Sequence, residues 1–177
     1  MMSLAVLLIL VQAAPATDGQ SGEVYASASV DKNGALAIRR ADGVTVAVYK
    51  RRDQTRFETP RLSRDRRAVG AQAMYPNCCT SYDIPLGLVV YENGREHWFK
   101  GIGLSIFWWM FADEGRRIAY GQSTVHSSCG THYELRDIRT ERLIESVLVP
   151  DDFPSCPPAK PVRIPAWVQR LRDAPVR

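Results

Sequence analysis

The sequence predicts an all-β protein of antiparallel sheets built from a repeat of about fifty residues, finished by one short C-terminal helix. Three observations predict it. Val, Ile, Tyr and Trp occur in short clusters, with few helix-favouring runs between them. Asp42-Gly43 and Asn93-Gly94, dipeptides that supply the positive φ of tight hairpins, stand before alternating apolar segments, and Thr140-Glu141 is a weaker third signal. Similar residues also recur at an offset of about fifty, the range of repeat architectures. The 177 residues, 45% of them hydrophobic and 24% charged, are enough for a domain with its own core.

Taken in order, the chain opens on an apolar run, Leu4 to Val11. Ala14-Pro15-Ala16 follows as a small-residue cleavage signal, with Val11-Gln12-Ala13 as a second candidate. Residues 1–16 read as a secretory signal peptide, although no Lys or Arg precedes the apolar run. That run is too short to span about 30 Å of hydrocarbon. The expected location is secreted or periplasmic. Residues 17–150 are expected to form the β-repeat domain, and 151–177 a proline-rich tail with a terminal helix.

Strands are predicted at about 23–30, 34–40, 44–51, 56–62, 67–75, 84–92, 95–101, 104–111, 116–124, 131–138 and 142–149, by alternation and intervening turn residues. "GVTVAVYK" alternates most cleanly, with Val44, Val46 and Val48 on one face. "SIFWWMF" is apolar on both faces, as in a strand covered from two sides. Trp108 and Trp109 point to opposite faces. One is expected in the core, the other in the core or as an exposed aromatic contact. After Pro150, "DDFPSCPPAKPVRIP" is extended and unsuited to pairing. "PAWVQRLRDAP" reads as a short helix started by Pro165, with Trp167, Val168 and Leu171 on one face.

The repeat aligns Val48-Tyr49-Lys50 with Trp98-Phe99-Lys100, Phe57 with Phe107, Arg66-Arg67 with Arg116-Arg117, and Cys79 with Cys129. Ile38, Leu88 and Ile138 coincide, as do Val48, Trp98 and Leu148. About three such units are too few for a closed propeller, so an open partial propeller, closure by self-association and a sandwich all stay open.

Four cysteines in an exported chain point to two disulfides. A bond between the neighbours Cys78 and Cys79 is strained, so each is expected to pair elsewhere. The repeat assigns Cys79 to Cys129 and leaves Cys78 to hold the tail through Cys156. The competing reading is a metal or thiol site at His126-x2-Cys129-x2-His132, with zinc ligand types.

The net charge is +4, unevenly placed. Lys50 to Arg67 is rich in arginine and reads either as a solvated face or as a docking face for phospholipid head groups or an acidic protein. Arg51, Arg52 and Arg56, with Trp108 and Trp109, are the binding candidates. No Gly-x-Ser-x-Gly elbow is present. Gly101-Ile102-Gly103 lacks the helix that a phosphate loop requires, and the basic residues lack the aromatic interleaving of nucleic-acid grooves.

"FADEGRRIAYG", Phe111 to Gly121, resembles the turn-and-strand motif of bacterial β-propeller blades of the WD-repeat and TolB types. "LSRDRRAVG", Leu62 to Gly70, is a looser match with Arg66 where the turn glycine is expected. "HSSCGTHYELRDIRTERLI" is similar to a segment of uncharacterised secreted bacterial proteins. The resemblance implies blade-like sheets and a scaffold or binding role. The expected function is therefore an exported non-enzymatic protein that binds a protein or envelope component, without a cofactor or nucleic acid. The alternatives are a metal-dependent or thiol hydrolase using Cys129, His126 and His132, and a structural, self-associating protein.

Overall fold

The computed structural model describes residues 22–78, 80–124, 129–151, 156 and 161–174. Eleven strands, one 3-10 turn at Asp113–Gly115 and one helix form the described chain. Each predicted strand is present, with ends shifted by up to three residues. β1 (Tyr25–Val30), β2 (Leu36–Arg40) and β3 (Thr45–Val48) form a three-stranded meander. β4 (Arg56–Leu62), β5 (Ala68–Tyr75), β6 (Ile84–Glu92) and β7 (Arg95–Lys100) form a four-stranded one. β8 (Ser105–Ala112), β9 (Arg117–Ser123), β10 (Gly130–Asp137) and β11 (Leu143–Pro150) form another. All strand pairs are antiparallel. No barrel or ring closes among the described residues.

The sheets are layered face to face, and side-chain alternation decides which core each residue enters. Tyr25, Leu36, Ile38 and Val48 of the first sheet meet Phe57, Val69, Ala71 and Val89 of the second. The opposite face of the second sheet sends Leu88, Val90 and Phe99 against Ile106, Trp109, Ile118 and Tyr120 of the third. The far face of the third sheet buries Ala119, Tyr133 and Leu135 under α1 (Ala166–Asp173). The central strand β5 is therefore buried from Ala68 to Met74. An eight-residue helix is marginal alone; here Trp167, Val168 and Leu171 are buried, and the Trp167 indole donates to Glu145 at 2.7 Å.

A bulge between Ile106 and Trp108 sets the tryptophans. Trp109 is buried in the core between the second and third sheets, and Trp108 packs towards α1. "SIFWWMF" is thus covered on both faces, as its composition predicts.

The turn chemistry also follows the sequence. Asn93 and Gly94 have φ of 48° and 75°, the signs that a two-residue hairpin turn of the primed type needs. Arg66, at the position where a turn glycine is expected, takes φ of 59°, and Gly115 in the matching turn takes 98°. A non-glycine residue in this region is costly. The Arg66 side chain offsets that by donating to the β1 carbonyls of Tyr25 (2.9 Å) and Ala26, locking the first sheet to the second.

The expected disulfide pairing is corrected. Cys129 bonds Cys156, with Cα atoms 5.2 Å apart. This excludes both Cys79–Cys129 and Cys78–Cys156. Cys78 is free and exposed. Cys79 lies outside the described residues, as do residues 1–16, which the sequence suggested as a signal peptide. The physical reason is chain direction. The β9–β10 loop delivers Cys129 to the start of β10, beside the end of β11, where Gly130 pairs with Pro150 and Asp151 N–H donates to Cys129 O. The tail leaving β11 therefore passes the nearest cysteine of its own sheet.

Candidate functional site

The basic run does not form one face. β4 runs through its middle and separates its halves by about 20 Å of strand. At one end Arg51 stacks 3.8 Å from the Trp98 ring centroid, and Arg56 is paired with Glu58 at 2.6 Å and with Asp83. The bond to Glu58 is the main cause holding the Arg56 guanidinium above its ordinary pKa. Arg52 is almost fully exposed and pairs loosely with Asp53 at 4.0 Å. At the other end lie Arg61, Arg64, Arg66 and Arg67.

His132 and Cys129 do not assemble a metal centre. Cys129 has no thiolate to offer, because it is in the disulfide. In this structure the Cys129 sulfur is therefore not open to the thiol or metal site that the sequence suggested. His126 lies outside the described residues. His132 sits instead on the rim of a polar network that alternation places on the inner face of the third sheet. Gln122 donates to Glu134 at 3.1 Å, and its amide nitrogen lies 3.0 Å from His132 Nδ1. Its carbonyl accepts the Ile102 N–H at 2.8 Å. The Tyr120 hydroxyl donates to Glu134 at 2.6 Å, and Arg136 Nε donates to both Glu134 (2.6 Å) and Tyr120 (2.9 Å). Burial, reinforced by Glu134, raises the Tyr120 pKa. Burial works against the Arg136 charge, but Glu134 and Tyr120 outweigh it and hold its pKa up. Among the described residues no buried side-chain nitrogen or oxygen lacks a partner, so this network is spent on joining strands.

A second polar hollow, about 330 Å³, lies by Glu92, Asn93, His97 and Arg139. Much of its lining is tied across the sheets, while Arg95, also on its wall, is exposed and unpaired among the described residues. Arg139 pairs with Glu92 at 3.1 Å, and His97 faces Glu141 at 3.5 Å.

A cleft that combines two arginines like Arg95 with an apolar floor lies elsewhere. It is about 460 Å³, between the β4–β5 turn, the end of β8 and α1. Its floor is Leu62, Met110, Phe111 and Ala112. Leu62 packs on the first core, Phe111 on the second, and Met110 and Ala112 on the third. The edges of all three cores therefore surface together here. Three arginines stand over this floor: Arg61, Arg64 and Arg170. Arg61 donates to Trp109 O at 3.0 Å and lies 5.1 Å from that indole's centroid, and burial lowers its pKa. Arg64 and Arg170 are exposed, and among the described residues neither side chain has a hydrogen bond or ion pair. Of the two acids at the rim, Asp113 is taken by Arg117 at 2.9 Å, which leaves Glu114.

Sequence reasoning singled out Arg51, Arg52 and Arg56 and missed this cleft. Arg64 was visible in the basic run. Arg170, more than a hundred residues away and assigned to an outward helix face, had no local signal linking it to Arg64. Neither a family model nor any curated protein matches this chain. Among the described residues no helix is long and apolar enough to cross a membrane.

Proposed function

We propose that this chain is an exported, non-enzymatic β-repeat protein that binds a protein or envelope component. The observation that carries the reading is the cleft of Arg61, Arg64 and Arg170, where Arg64 and Arg170 are unpaired among the described residues beside apolar side chains. Elsewhere in the described chain the buried polar groups are engaged with one another. Export is supported by the Cys129–Cys156 disulfide, a bond that persists in oxidising compartments.

The repeat is part of the same proposal. Phe57 and Phe107 fall on the first strands of the two four-stranded sheets, and Arg66-Arg67 and Arg116-Arg117 at their first turns. Trp98 and Leu148 fall on the fourth strands. These positions support one blade-like unit used twice, with the three-stranded sheet as a shortened copy.

The test is co-sedimentation of the purified protein with envelope membranes at low and high salt. Arg64→Glu with Arg170→Glu is expected to release the protein, and Arg51→Gln with Arg52→Gln and Arg56→Gln to leave it bound. Unchanged retention in both variants overturns the electrostatic reading.

One observation favours a second reading, self-association. Leu143, Ile144 and Leu148 on the edge strand β11 are 42%, 41% and 56% exposed. An apolar, unpaired edge is a template for pairing. Light scattering distinguishes monomer from oligomer, and Leu148→Lys is expected to abolish any oligomer.

A further inference from the structure

We infer that the cleft between the β4–β5 turn, the end of β8 and α1 is a ligand site for a small anionic amphiphile. Its carboxylate or phosphate head is held by Arg64 and Arg170, and its apolar body lies on Leu62, Met110 and Phe111. The inference rests on the binding-protein reading and narrows it to a chemical class.

The head group follows from charge. Three guanidinium groups share the cleft with one carboxylate, Glu114, that lacks a cationic partner among the described residues. Guanidinium forks match carboxylate and phosphate oxygens in a bidentate way, and a charge-assisted bond is about twice as strong as a neutral one. Arg64 and Arg170 come from separate elements, the β4–β5 turn and α1, so the site exists only in the folded chain. Arg61 is fixed by the Trp109 carbonyl and supplies a static positive potential beneath them. A cationic ligand is disfavoured at this site.

The body follows from the floor. Leu62, Met110, Phe111 and Ala112 are each only half-buried, because three separate cores end at this point and none extends far enough to cover the others. A bare inorganic anion leaves that surface wet, and a neutral apolar molecule leaves the arginines unused. The cleft volume, about 460 Å³, falls in the range of small-molecule sites.

The experiment is titration calorimetry on the full chain with its disulfide intact. The probes are decanoate and decyl phosphate below their micelle concentrations, decanol, and inorganic phosphate. Decanoate or decyl phosphate is expected to bind one to one, and whichever binds more tightly identifies the head. Decanol is expected to bind at least about tenfold more weakly, the loss of about one good polar interaction, and inorganic phosphate at least about tenfold more weakly because it buries no apolar body. Arg64→Gln with Arg170→Gln, both exposed and without a partner among the described residues, is expected to keep the wild-type circular dichroism and melting curve while losing at least about tenfold in affinity.

Equal binding of decanol makes the cleft an apolar groove only. Equal binding of phosphate makes it a plain anion site. An unchanged double variant places the ligand elsewhere. Each of these overturns the inference, as does an absence of binding by both amphiphiles. If the amphiphiles fail but envelope retention persists, the narrowing is wrong and the binding-protein reading stands. If retention fails as well, both fall.

Discussion

Replacing Gly70 by alanine tests the packing that holds the second sheet to the third. Gly70 lies on the central strand β5, hydrogen-bonded to β4 and β6. A Cβ there would stand 2.7 Å from two ring atoms of Trp109 and 3.3 Å from Phe111. Ordinary contact begins near 3.4 Å, so one partner must move by about 0.7 Å. The indole has little room to move. It is 2% exposed, its nitrogen donates to Thr59 Oγ1 at 3.2 Å, and Arg61 holds the same residue's carbonyl. Overpacking of this kind costs about 1–3 kcal/mol, and we expect Gly70→Ala to fall in the upper half of that range. Trp109→Phe alone loses the bond to Thr59 and leaves a gap, for about 1–3 kcal/mol. In the double variant the added methyl enters the space left by the smaller ring. It should therefore be more stable than the sum of the singles by at least about 1 kcal/mol. Urea denaturation of all four proteins, with the disulfide intact and unchanged m-values, measures this coupling. Additivity within about 0.5 kcal/mol would refute the contact, and a neutral Gly70→Ala would refute the rigidity of the sheet interface.

Three further expectations follow from other parts of the fold. Replacing Cys129 and Cys156 by serine opens a crosslink spanning 27 residues and should cost about 3.5 kcal/mol by the chain-entropy estimate; peptide mapping that finds Cys129 joined to Cys79 would instead restore the repeat-based pairing. Glu134→Ala removes the buried acceptor of Arg136, the Tyr120 hydroxyl and the Gln122 amide and should cost about 1–3 kcal/mol, with Glu134→Gln costing less, by thermal or urea melts. Tyr25 and Tyr120 have raised pKa values, chiefly from burial, so they keep their protons when the unfolded chain loses its own. Their contribution is complete below about pH 10 and is lost above it, at about 1.4 kcal/mol per pH unit for each tyrosine until its folded pKa is reached. Melts between pH 9 and pH 11 that show no such decline would contradict the buried, neutral phenols.

What the sequence determined by itself is local. Period-two alternation, the Asn93-Gly94 and Asp42-Gly43 turns and the Pro165 start located every strand and the helix, because these features act over a few residues of backbone. The double coverage of "SIFWWMF" was also legible, since a strand apolar on both faces has only one stable environment. The tertiary structure decided what depends on distance. Which cysteine meets Cys129 was settled by where β11 ends, not by the cysteine fifty residues earlier that sequence alignment set against it. Whether an arginine is free was settled by its neighbours: Trp98 takes Arg51, Asp83 and Glu58 take Arg56, and the β1 carbonyls take Arg66. Arg64 and Arg170 are left over one apolar floor because two segments far apart in the chain fold to the same edge. No local pattern encodes that proximity; packing of the layers creates it.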